Sequence, residues 1–325
     1  MKGIATVMVV YIHSHNIYGY AGVSDNNLPV RLITMLTLSS AAVPTFFLLS
    51  AYLISKSKRT YVDNIKKKAK TLLLPYAVWM VLYLLFEIVG TKLAPNEFSH
   101  VSQWSVSDWL KSLIGVPFVE PPIYMPLWFV RDLFILNLVA PPLRFIAKKL
   151  PYYVTLLIVG IVWFLPLPSF LRQAFCFFML GLLIGSKETA FMRVSEKCHG
   201  GGIVIAGILT VATVFLPTGY CTERIQAILA VALLYLACKA LDRSKKPKCK
   251  CLSVIKVYSF WIYVTHGKLL SIFQILCTKV FTQSGGMVLA EYLVLPLIII
   301  AICLMVGIGF QRIWPRAYSI LTGER

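Results

Sequence analysis

Four groups of residues stand where an apolar chain rarely keeps them. His13 and His15 lie in the opening apolar run that begins after Lys2. Arg131 and Asp132 follow Trp128 in a second run, and Tyr263 and His266 lie in a third. Lys66, Lys67, Lys68 and Lys70 stand just before a fourth. An ionisable side chain at membrane depth costs at least ~2.5 kcal/mol, so it faces a bundle interior or a wet cavity and tends to be functional. Neutral histidine is cheaper, and a pKa of about 6.5 lets it move protons near neutral pH. Together such groups suggest a membrane enzyme with a buried imidazole. A lone guanidinium at that depth needs an anionic partner, a substrate or water, and the lysines can meet phosphate as point charges. Each group also has a plainer reading. A histidine can simply bond two helices, for ~0.6 kcal/mol. An arginine can belong to a structural ion pair. A basic loop can rest on anionic lipid, for ~1 kcal/mol per charge.

Spacing narrows these readings. His13 and His15 are about 200° apart on a helix, so only one can face a given partner. His13 falls ~16 Å along the helix from Lys2, near mid-bilayer. Tyr263 and His266 are three apart and share a face. Arg131 and Asp132 are neighbours, about 100° apart, and need not pair with each other. Two buried histidines on different helices are harder to assign to chance packing than one.

The elements that must position these groups are set by composition. The chain has 325 residues, of which 58% are hydrophobic and 14% charged, and its mean hydropathy is +0.76. A soluble domain is nearer ~45–50% apolar and ~25% charged. An all-α polytopic membrane protein is expected, a single domain over residues 1–325 with about ten transmembrane helices in one bundle. The net charge of +19 sits mostly in loops, which topology explains better than nucleic acid does. Of eight cysteines, Cys176, Cys238, Cys277 and Cys303 lie in apolar runs as core residues. Cys249 and Cys251 form a C-x-C without a second ligand pair, so no metal site is read from them.

The apolar runs place spans at about 3–20, 33–55, 71–90, 122–145, 152–165, 169–186, 202–217, 222–241, 254–281 and 287–314. A long polar segment, about 91–121, is expected outside the membrane. The connections between spans two and three, four and five, six and seven, and eight and nine are basic, and the others are poor in Lys and Arg. The positive-inside rule then puts both termini in the cytoplasm. Span one begins almost at the first residue, so a short extension before Met1 is expected. Gly181 and Gly185 form a small-xxx-small pair suited to close helix packing. His199 and the glycines after it read as a helix start rather than a phosphate loop.

Taken in order, these stretches resemble acyltransferase family 3, which includes bacterial O-acetyltransferases of surface polysaccharides. Lys2 and His13 match its first helix. Pro44, Phe46, Phe47, Ser50 and Tyr52 match its Pro-x-Phe-Phe-x-x-Ser-Gly-Tyr helix, except that Ala51 replaces the glycine. Lys67 and Lys68 before Leu73, Pro75 and Tyr76 resemble its basic pair, with lysines where arginines are frequent. Leu127, Trp128, Phe129 and Arg131 resemble its Leu-Trp-Phe-x-Arg helix, and Phe177 to Gly181 and Ser259 to His266 its later signatures.

The resemblance implies a multi-pass protein of the bacterial cytoplasmic membrane that moves an acyl group, commonly acetyl, from acyl-coenzyme A to a carbohydrate hydroxyl. It implies no permanently bound cofactor and no metal. It also implies a carbohydrate or lipid-linked glycan acceptor. His13, Arg131 and His266 are then the catalytic candidates. Lys68 and Lys70 are expected at the coenzyme phosphates, and Trp128, Asp132 and Tyr263 around the substrate. A transporter or flippase for an anionic or glycan substrate shares the buried histidines and Arg131. It lacks support from an internal repeat.

Overall fold

The structure, a computed structural model, describes residues 1–14, 38–93, 103–197, 200–216, 220–243, 250–281 and 285–323. Among them every regular element is helical and none is a strand. His15, His199 and Cys249 lie outside the described residues.

Helix α1 (Lys2–Ser14) has no charged residue after Lys2 and buries Ala5, Met8, Val9 and Val10. Helix α2 (Ala42–Lys56) follows a 3-10 turn at Ser39–Ala41. Helix α3 (Tyr61–Lys68) starts at Thr60, whose hydroxyl accepts from the Asp63 amide. It runs through a π turn (Ala69–Leu73) into α4 (Leu74–Leu93). Pro75 explains the π turn, because it has no N–H to close the α-helical bond to the Thr71 carbonyl.

The polar segment is partly ordered. Helix α5 (Val106–Ile114) opens with a capping box between Ser105 and Asp108. The segment after it carries Gly115 and Phe118 at positive φ. The Tyr76 hydroxyl donates to the Leu113 carbonyl at 2.7 Å, so this segment folds back onto α4.

Span four is not the continuous helix that hydropathy implied. A 3-10 turn (Met125–Leu127) leads into α6 (Trp128–Leu138), and the chain breaks at Val139 before α7 (Ala140–Lys149). Pro141 and Pro142 cause the break, since neither can continue the hydrogen-bond ladder of α6.

Helices α8 (Tyr152–Phe164) and α9 (Ser169–Ser186) form a hairpin across the Pro166 and Pro168 turn. Helix α9 packs closely on α2. A Cβ on Gly181 would fall 2.8 Å from Ala51 Cβ, and one on Gly185 would strike the Ser55 side chain. The glycine expected at position 51 therefore has its counterpart across the interface.

Helices α10 (Glu188–Lys197), α11 (Gly200–Ala212) and α12 (Tyr220–Arg243) complete the middle of the chain. Span nine is also broken, into α13 (Lys250–Val257) and α14 (Ser259–Val280) at Tyr258. Helix α15 (Gly285–Ile313) contains Pro296, and α16 (Pro315–Thr322) turns back. There Trp79 Nε1 donates to the Leu321 carbonyl at 2.9 Å, tying the tail to α4.

Five helical stretches are long and apolar enough to cross a membrane among the described residues: Tyr61–Lys92, Ser169–Ser186, Cys221–Lys239, Ser259–Val280 and Gly286–Ile313. Tyr152–Phe164 and Gly201–Phe215 are shorter apolar helices.

Candidate active site

Helix α1 lies against α13, α14 and α15. Its first turn fits because Gly3 has no side chain, where a Cβ would meet the Leu252 carbonyl. Further along, the Tyr11 hydroxyl donates to the Leu293 carbonyl at 2.8 Å, and Gln274 Nε2 donates to the Ser14 carbonyl at 3.2 Å. These bonds fix the rotation of α1 and set His13 toward α14. The rings of His13 and His266 are 5.1 Å apart.

His266 is fully buried, while His13 is only half-buried. His266 Nδ1 lies 3.0 Å from the Ile262 carbonyl, which selects the tautomer with its proton on Nδ1. Nε2 then carries the lone pair, and it is buried with no hydrogen-bond partner among the described residues. Tyr263, one turn earlier, has its ring 6.3 Å from His266. Its hydroxyl donates to the Pro126 carbonyl, joining α14 to the entry of α6.

Arg131 and Asp132 form a second cluster. Arg131 is 6% exposed and Asp132 0%. Arg131 Nε donates to Asp132 Oδ1 at 2.7 Å. Arg131 Nη1 donates to the carbonyls of Ile114 and Glu120, and Asp132 Oδ2 accepts from the Phe118 amide at 3.2 Å. Neighbouring helical residues rarely pair, but these two stand in the first turn of α6, where the loop after α5 passes over both. Because α6 starts at Trp128 and not at 122, Arg131 is only ~4.5 Å into the helix. The pair thus clamps a loop. Arg131 Nη2 is buried and has no hydrogen-bond partner among the described residues.

Trp128 stacks on Phe170 at 4.3 Å and lies 6.1 Å from Phe47, so it packs α6 against α2 and α9. The Phe129 ring lies 6.1 Å from Tyr263 and 4.7 Å from Phe47, which ties α6 to α14 and α2. Lys68 and Lys70 flank the start of the π turn, Lys68 half-buried and Lys70 exposed.

Sequence reasoning missed Glu87 and Lys268. Glu87 is 1% exposed, and Lys268 Nζ lies 3.2 Å from its Oε1. The same ammonium sits 4.8 Å from the Tyr83 ring and 5.2 Å from the Phe86 ring. A carboxylate inside a Leu- and Phe-rich run, and a lysine two residues beyond a buried histidine, are the signals that could have found them. Arg224 and Glu291, also buried in apolar helices, carry the same signal.

The profile of the acyltransferase domain family matches residues 1–310. The chain is also similar to the succinoglycan biosynthesis protein ExoH of Rhizobium meliloti (strain 1021). The two are 25% identical over 305 residues, which cover 89% of this chain and 80% of that protein. No solved structure matches it.

Proposed function

This chain belongs to the acyltransferase family, and from that premise we propose a membrane-embedded O-acyltransferase acting on carbohydrate. The donor is an acyl-coenzyme A, with acetyl as its acyl group, and the acceptor is a hydroxyl of a cell-surface or lipid-linked glycan. The membrane is the bacterial cytoplasmic membrane, crossed about ten times with both termini inside. The carrying observation is the meeting of His13 and His266, 5.1 Å apart, with His266 Nε2 unbonded.

A sugar hydroxyl is a poor nucleophile until a base takes its proton. His13, the more accessible ring, takes that proton as the oxygen attacks the thioester carbonyl. The imidazolium formed on His13 is stabilised by the lone pair of His266 Nε2, directly or through one water. As the new C–O bond forms, the carbonyl π pair moves onto oxygen, where Arg131 Nη2 is the donor for the oxyanion. Collapse expels the coenzyme A sulfur, which leaves with the proton from His13. Lys68 and Lys70 hold the coenzyme phosphates, and Asp132, Trp128 and Tyr263 shape the acceptor side.

The test is transfer of labelled acetyl from acetyl-coenzyme A to glycan repeat units by the protein in lipid nanodiscs. His13→Ala and His266→Gln are each expected to lower kcat by about 10²–10⁴, with helix content unchanged. Normal transfer by a folded His13→Ala protein would remove the base. Passage of unmodified glycan across the bilayer, with no label transferred, would favour a flippase.

A further inference from the structure

We propose that the cleft between the α2–α3 loop and the α6–α7 break binds the phosphate of an organic phosphate that also carries a hydrogen-bond donor. This deepens the donor half of the function above, and it rests on that reading only for which molecule bears the phosphate. The cleft is a cavity of ≈ 360 Å³, lined by Arg59, Tyr61, Asn64, Asn137, Arg144 and Lys148 among others. Three of its lining residues are cations, and none is a carboxylate among the described residues.

Its walls are built rather than incidental. Arg144 Nη2 donates to the Ser55 carbonyl at 2.6 Å, and the Tyr61 hydroxyl donates to the Leu138 carbonyl at 2.9 Å. These bonds hold α7 and the start of α3 on either side of the break at Val139. Arg144 Nε is buried with no hydrogen-bond partner among the described residues. Asn137 supplies an independent observation. It is 0% exposed, and its Nδ2 donates to the Leu133 carbonyl at 2.6 Å, which fixes the orientation of the amide. Asn137 belongs to the cavity lining, and its Oδ1 is buried with no hydrogen-bond partner among the described residues. A buried acceptor of this kind calls for a donor, and three cations call for an anion. A nucleoside phosphate offers both in one molecule. Lys68 lies on the face of α3 that holds Tyr61 and Asn64, by the i, i+3, i+7 rule, and extends the cationic line away from the cleft.

The test is calorimetric titration of the full-length protein in neutral detergent, at low salt, with inorganic pyrophosphate and with ADP. Wild type is expected to bind both. Arg59→Gln combined with Lys148→Gln, both exposed positions, weakens both ligands at least about tenfold. Asn137→Leu weakens ADP and spares pyrophosphate. Equal binding of pyrophosphate by wild type and the double variant overturns the site.

Binding retained in phosphatidylglycerol nanodiscs is expected and assigns the site to a soluble phosphate. Displacement there, but not in phosphatidylcholine, overturns the link to the donor in favour of a lipid headgroup. Acetyl transfer separates the two readings. A raised KM for acetyl-coenzyme A in the double variant, with kcat kept, supports the site. A wild type that binds pyrophosphate yet transfers no acetyl supports the site and sinks the donor. Transfer with the same KM in both proteins, and no pyrophosphate binding, sinks the site alone.

Discussion

A guanidinium as deeply buried as that of Arg131 is tolerable only beside its carboxylate, and Asp132 is that carboxylate. Removing one partner of such a pair leaves an uncompensated charge and costs about 3–5 kcal/mol. Asp132→Ala is therefore expected to lower the thermal midpoint in detergent and to expose the 115–120 loop to protease. An unchanged midpoint with an uncut loop would show that the clamp carries no stability. The histidines were legible as single residues, because imidazole inside an apolar run is conspicuous. Their meeting was not, since helical angles relate residues on one helix and say nothing of which helix stands opposite. The Arg131 clamp was hidden for a similar reason: its partners come from a polar segment whose fold no periodicity announces.

The α2–α9 interface is set by which residues lack bulk. Gly181→Leu is expected to force the helices apart and destabilise the protein by roughly 1–3 kcal/mol. Gly160→Ala, where a Cβ meets nothing within 4 Å, should be neutral or stabilise by up to ~1 kcal/mol. Comparing the two thermal midpoints checks both. Beyond α9, Glu188 accepts from Lys56 and from Tyr52, whose hydroxyl is 2.6 Å away. Those bonds, Lys56 first, hold its carboxyl below the usual carboxylate range. The stability they give is present above the unfolded value of about 4.3 and is lost as pH falls through the lower folded one. The difference in midpoint between wild type and Glu188→Gln should thus be present at neutral pH and vanish in acid. The small-residue pair and the α8–α9 hairpin were readable from glycine spacing and from Pro166 and Pro168. The break at Val139 was readable too, from Pro141 and Pro142, but hydropathy averaged across it.

Over the whole chain, basic connections alternate with connections poor in Lys and Arg. A fluorescent reporter fused after Arg325 is expected to glow and alkaline phosphatase there to stay inactive; the reverse would put the tail outside. The helical class was legible because composition alone demands it. The number of crossings was less so, since hydropathy counts apolar runs and does not see where a run bends. The candidate site joins parts of the sequence that lie far apart. Ser14 and Gln274, beside the paired imidazoles, are 260 positions apart. Synthesis therefore delivers α1 well before α14, and the two meet only after the helices between them have been made. A nascent chain halted before α14 therefore holds His13 without the ring that stands against it in the finished fold.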